Sequence, residues 1–232
     1  MDFTPAEWDA LALSLKVAFI GALVTLPLSV ALAWILARKN FPGKFLLDAI
    51  VHLPLVLPPV VTGYVLLLVL GTQGLIGQWL NETLGIRLAF TWWGAALVAA
   101  IMGLPLAVRT IRLSFEGLDG GLIEAARTLG HSPLRTFFTV TLPLLSPGLL
   151  AGLMLSFSRA LGEFGATITF AGNIPGQTQT LPLLLFSAIQ SPTGDPLANR
   201  IVWLCIALSV SSLIAAEWSA RRIRRWLTGV ST

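Results

Sequence analysis

The chain has 232 residues, 55% of them hydrophobic and only 11% charged, and its mean hydropathy is +0.82. A soluble domain carries about 25% charged residues, so this composition excludes an ordinary soluble protein. The formal charge of +4 and the pI near 10.0 do not indicate nucleic acid, because the basic residues stand at the ends of apolar runs rather than in one exposed field.

A helix that crosses a membrane needs roughly 20 mostly apolar residues. Five stretches supply them: 11–37, 45–70, 90–108, 137–161 with a continuation toward 170, and 201–220. The expected fold class is therefore all-α, a polytopic membrane bundle of about five transmembrane helices in one domain over residues 1–232, with its core at about 11–220. Ahead of the first stretch there is no basic run and no cleavage site, so no cleaved signal peptide is expected.

The second stretch contains Leu53-Pro54-Leu55-Val56-Leu57-Pro58-Pro59. Its prolines remove backbone donors and bend or break the helix. In lipid the freed carbonyls must find protein or water. Pro58, Pro59 and Thr62, with Gly63, are candidates for lining a translocation pathway, and a plain structural kink is the other reading. Residues 71–89 on the outer side have room for a short helix, with Leu75, Ile76, Trp79 and Leu80 at helical spacing.

Residues 119–143 are the most polar helix-like interruption. Asp119 suits a helix cap, Leu122, Ala125, Ala126 and Leu129 fall on one face, and Glu124, Arg127 and Thr128 fall on the other. Gly130 suits the left-handed residue that ends a helix, and Ser132-Pro133 reads as the start of the next one. Such a protruding helix is a handle for another protein.

Farther on, Arg159 and Glu163 are four residues apart and share a helix face, where they can pair. Ionisable groups at membrane depth are functional suspects; a gate on the pathway and a salt bridge that locks the bundle are both open readings. Between two breaker-rich ends, residues 181–189 are too short to span and read as a re-entrant or outer-surface helix. Cys205 lies in an apolar run and suits packing, with no disulfide framework. His52 and His131 are far apart and make no metal pattern, and no phosphate-binding loop of the G-x-x-x-x-G-K-[ST] type occurs, so no cofactor is expected on this chain.

Charge sets the expected orientation. Arg38, Lys39, Lys44, Arg109, Arg112, Arg127, Arg135, Arg221, Arg222, Arg224 and Arg225 fall on one side and mark it as cytoplasmic. The other side holds Arg87 and Arg200 with Asp2, Glu7, Asp9, Glu82 and Asp195. The N-terminus is then outside and the C-terminus inside. Trp34 and Trp218 near inner ends, with Trp226 beyond them, and Trp79, Trp92, Trp93 and Trp203 near outer ends suit the headgroup region. After Arg225 no large cytoplasmic domain is expected.

Glu124-Ala125-Ala126, Gly130 and Leu142-Pro143 stand at the spacings of a signature in permease subunits of binding-protein-dependent ABC importers, with Val140 where that family usually has Ile. The chain resembles this family. Residues 53–64, 90–94, 159–167 and 173–176 extend the resemblance to its molybdate branch. Sulfate and tungstate permeases are near relatives and the alternatives for cargo. The resemblance implies that 119–143 is a cytoplasmic coupling helix region docking into a separate ATPase, which would hold ATP and Mg. It also implies a homodimer in the bacterial inner membrane, an outer oxyanion-binding protein as partner, and transport by alternating access rather than enzymatic chemistry on this chain. A secondary transporter would need its own coupling-ion site and, usually, inverted repeats, and neither is visible.

Overall fold

The architecture is that of a computed structural model, which describes residues 3–228; from Ala220 on only the backbone is described. Asp2 and the side chains of Arg221, Arg222, Arg224, Arg225 and Trp226 lie outside the described residues. The first helix, α1 (Pro5–Arg38), starts on a reciprocal cap. The Thr4 hydroxyl accepts the Glu7 N–H, and the Glu7 carboxylate accepts the Thr4 N–H at 2.7 Å.

Direction decides the topology. Against α5 (Trp92–Glu116), Gly21 of α1 packs on Ala96 and Ala99, Thr25 Oγ1 donates to Ala100 O at 3.0 Å, and Arg38 donates to Phe115 O at 2.9 Å. Residue number rises together on both helices, so they run parallel, and the chain between them must cross back. Two short helices do this: α2 (Lys44–Val56) and α3 (Pro59–Leu70), bent by 116° at their junction. Val51 of α2 packs with Val108 near one end of α5, while Leu66, Leu67 and Leu70 of α3 pack with Leu88, Val98 and Phe170 toward the other.

The expected second span is thus real as a crossing but is not one helix. Pro58 and Pro59 carry no N–H for the carbonyls a turn earlier, so the helix stops and restarts. A short outer helix, α4 (Leu75–Leu84), follows where one was expected and ends on left-handed Gly85.

After α6 (Gly120–Thr128) and α7 (Pro133–Thr136), a wide π turn over Phe137–Thr141 leads into α8 (Leu142–Leu161). Helix α8 runs antiparallel to α5: Gly103 sits against Ser156 and Gly152 against Ile111. The continuation toward residue 170 is interrupted. The helix ends at Gly162 and restarts as α9 (Gly165–Phe170). Then α10 (Leu181–Ile189) buries Leu181, Leu184 and Ala188 with Ala10 and Ile201, so it packs against the beginnings of α1 and the last helix. The last helix, α11 (Asp195–Thr228), is tied to α8 by a Ser158–Ser212 hydroxyl pair at 2.7 Å and to α1 by Arg200–Glu7 at 3.1 Å. Cys205 packs beside that same core.

Among the described residues four helices are long and apolar enough to cross a membrane, and the bent pair brings the number to five when it is counted as one crossing. The start of α1 and the end of α11 therefore lie at opposite faces of the bundle. One interior proline is handled locally. Pro147 cannot donate to Pro143 O, and Ser146 Oγ donates to that carbonyl at 2.7 Å instead. Ser146→Ala should lower stability by about 1 kcal/mol, read as a lower melting temperature in detergent with the fold retained.

Candidate functional site

The polar stretch forms as its local chemistry dictates. Asp119 Oδ1 accepts the Gly121 N–H at 2.8 Å and opens α6. At the other end Gly130 takes φ +86°, His131 N–H bonds Ala126 O and Gly130 N–H bonds Arg127 O. These two bonds satisfy carbonyls the helix would leave orphaned. Ser132 then caps α7, accepting the Arg135 N–H at 3.3 Å, with Pro133 in the first turn. Leu142 and Pro143 follow the π turn. Pro143 has no N–H for Thr139 O, and a locally wider helix takes up that mismatch.

Which way α6 faces was not legible in advance. Only Ala126 of the helix is buried, whereas Leu122 is 49%, Leu129 81% and nearby Leu134 71% exposed. The helix lies at the same end of the bundle as Arg38 and Phe115. Between α6 and the bundle is a cavity of about 340 Å³ whose lining includes Trp34, Arg38, Glu124, Arg127 and Phe137. Glu124 and Arg127 of α6 thus border this cavity together with Ile123, and Leu122 and Leu129 are left facing outward. The sequence had also not joined α2 to this end. Asp48 pairs with Arg112 at 3.3 Å, and Arg112 with Glu116 at 2.8 Å. The second pair follows from its spacing of four; the first links residues 64 apart and has no local signal.

The other candidates converge elsewhere. Arg159 and Glu163 pair at 2.7 Å, as their spacing predicts. Glu163 is almost wholly buried at the break between α8 and α9, and its second oxygen accepts the Ala166 N–H at 2.9 Å. The break after Pro58 adjoins it: a Cβ on Gly165 would lie 3.0 Å from Pro59 Cβ. Pro58 and Pro59 are exposed, and Thr62 and Gly63 are buried. Gly63 is there because a Cβ would come within 2.6 Å of Ala166 O, so α3 and α9 approach backbone to backbone.

Comparison with known proteins places this geometry. A family model described as "Binding-protein-dependent transport system inner membrane component" matches residues 26–227. The molybdenum transport system permease protein ModB of Escherichia coli (strain K12) is 53% identical over 221 residues, covering 95% of this chain and 96% of that protein. The sulfate transport system permease protein CysT of the same strain is 38% identical, covering 97% of this chain and 80% of that protein. Among solved structures, an inward-facing MetNI methionine ABC transporter aligns with a TM-score of 0.66 at 19% identity, over 93% of each chain. A bacterial alginate ABC transporter aligns with 0.72 at 15% identity, over 95% of this chain and 80% of that one. At such identities the structural likeness concerns the fold.

Proposed function

The chain belongs to the binding-protein-dependent transport system inner membrane components, and from that premise we propose that it is the permease subunit of an ATP-driven importer of molybdate. The observation that carries the coupling role is the outward apolar edge of α6. Leu129 is largely exposed and Leu122 half-exposed, and they sit on a well-capped helix at the basic face of the bundle. An amphipathic helix turned inside out in this way is a docking element.

In this reading Glu124, Ala125, Ala126, Gly130, Leu142 and Pro143 form the coupling region of a permease that works as a homodimer. A separate ATPase, holding ATP and Mg, takes hold of α6 on the cytoplasmic side, and an outer binding protein delivers the oxyanion. ATP-driven closure of the ATPase draws the α6 helices together and rocks the bundle from inward-open to outward-open. The N-terminus is outside and the C-terminus inside. The higher identity to molybdenum than to sulfate permeases favours molybdate as cargo.

The test is uptake of labelled molybdate by cells lacking this chain and by cells with it restored. Restored uptake that excess tungstate blocks and excess sulfate barely affects supports the reading. Restoration of sulfate uptake alone overturns the cargo. Within the coupling region, Glu124→Lys reverses a charge beside Arg38 and Arg127 at the cavity behind α6. It should lower uptake about tenfold or more while membrane insertion and ATP hydrolysis persist. Normal uptake by this variant would sink the assignment of Glu124.

A further inference from the structure

The two helix breaks in the bundle are one feature. The chain stops at Pro58 and restarts in α3, where both Val61 and Thr62 N–H groups converge on Pro58 O. It stops again at Gly162 and restarts in α9. Gly165 at the second restart packs on Pro59 and Val60 at the first. One turn on, Gly63 closes onto Ala166 and Thr169. Beyond that, Leu66, Leu67 and Leu70 of α3 share a core with Ala166 and Phe170 of α9. The half-helices α3 and α9 are thus bound more closely to each other than either is to the helix that precedes it in sequence.

One side chain bridges this pair to α8. Glu163 occupies the linker, with a side chain only 2% exposed. One oxygen takes the Ala166 N–H and fixes the start of α9; the other takes the Arg159 guanidinium and fixes it to the last turn of α8. A buried carboxylate with one partner on each side of a break couples the two segments, and removing a partner leaves a charge in a low-dielectric site. Arg159 is still 27% exposed, so the pair lies at the edge of the packed region and not in its centre.

We infer that Glu163 is a positioning residue for transport: it sets the α9–α3 pair against α8, and the conformational change of the permease passes through that joint. This rests on the transport reading above and assigns a task to two residues that reading leaves without one.

The experiment uses the full transporter with its ATPase and binding protein, reconstituted in vesicles. Its cargo is whichever of molybdate, tungstate or sulfate the wild type takes up. Cargo identity is then read from the wild type and the role of Glu163 from the ratio of variant to wild type. Glu163→Gln keeps an oxygen for the Ala166 N–H but loses the charge facing Arg159. Maximal uptake should fall about tenfold, with KM for the loaded binding protein unchanged, the complex still assembled and ATP still hydrolysed. Arg159→Lys keeps the charge and should recover most of the uptake lost in Arg159→Gln. Wild-type uptake by Glu163→Gln overturns the inference. So does a parallel fall in assembly, ATP hydrolysis and uptake that Arg159→Lys shares in full, because that is the signature of a brace for folding only.

Discussion

Leu129→Asp should abolish recovery of the ATPase with the permease and reduce uptake to background, while the permease itself inserts and melts as before. Leu129 is 81% exposed and supports nothing in its own chain, so the folded subunit loses little. In the docked complex the same position would be covered. Burying a leucine there contributes about 1.5–3 kcal/mol, and burying an unpaired carboxylate in its place reverses the sign of that contribution and adds to it. Interface energy concentrates in a few such anchors, so a change of this size is enough to break a docking contact made by one short helix. The measurement is co-purification from membranes, followed by uptake. Full retention of the ATPase by Leu129→Asp would show that the outward edge of α6 is not the docking surface.

Gly63→Leu should be strongly damaging inside the bundle. The first side-chain carbon alone would stand 2.6 Å from Ala166 O and 2.9 Å from Thr169 Cβ. Neither neighbour can yield cheaply, since the first is backbone and α9 is fixed through Glu163 at its start. Overpacking of this kind costs roughly 1–3 kcal/mol when the structure can shift; here the shift would separate α3 from α9. Uptake should be lost and the melting temperature should fall by several degrees, on the order expected for such a cost in a chain of this size. Gly63→Ala should show the same signs to a smaller degree. A Gly63→Leu permease with normal uptake and stability would mean that the two half-helices need not touch.

The sequence disclosed what is local and what is long. Asp119, Gly130 and Ser132 specify ends of helices through their own side chains or lack of one, and each does so in the structure. The apolar stretches specify crossings by length, and the crossings are there. Arg159 and Glu163 pair because four residues make a helix turn. Partners across space were hidden. That Leu122 and Leu129 share a face follows from periodicity, but periodicity does not say whether the rest of the chain covers that face. Gly63 next to a proline-rich break reads equally as an opening or as a close contact, and only the position of Ala166 decides. The stop at Gly162 had no proline to announce it. The helix restarts as α9 where Glu163 accepts the Ala166 N–H and Gly165 packs on α3.

The return crossing by two pieces also bears on how the protein is made. Helix α2 has 13 residues and α3 has 12, so each rises roughly 20 Å against a hydrocarbon layer of roughly 30 Å. Neither piece alone can hold a stable place across the bilayer as the nascent chain emerges. The close contacts of Gly63 with Ala166 and of Pro59 with Gly165 form only when α9, made about a hundred residues later in sequence, arrives to pack against α3. Until then the segment must stay sheltered by the insertion machinery or by neighbouring helices, so completion of the second crossing is a late event in biogenesis although it is encoded early.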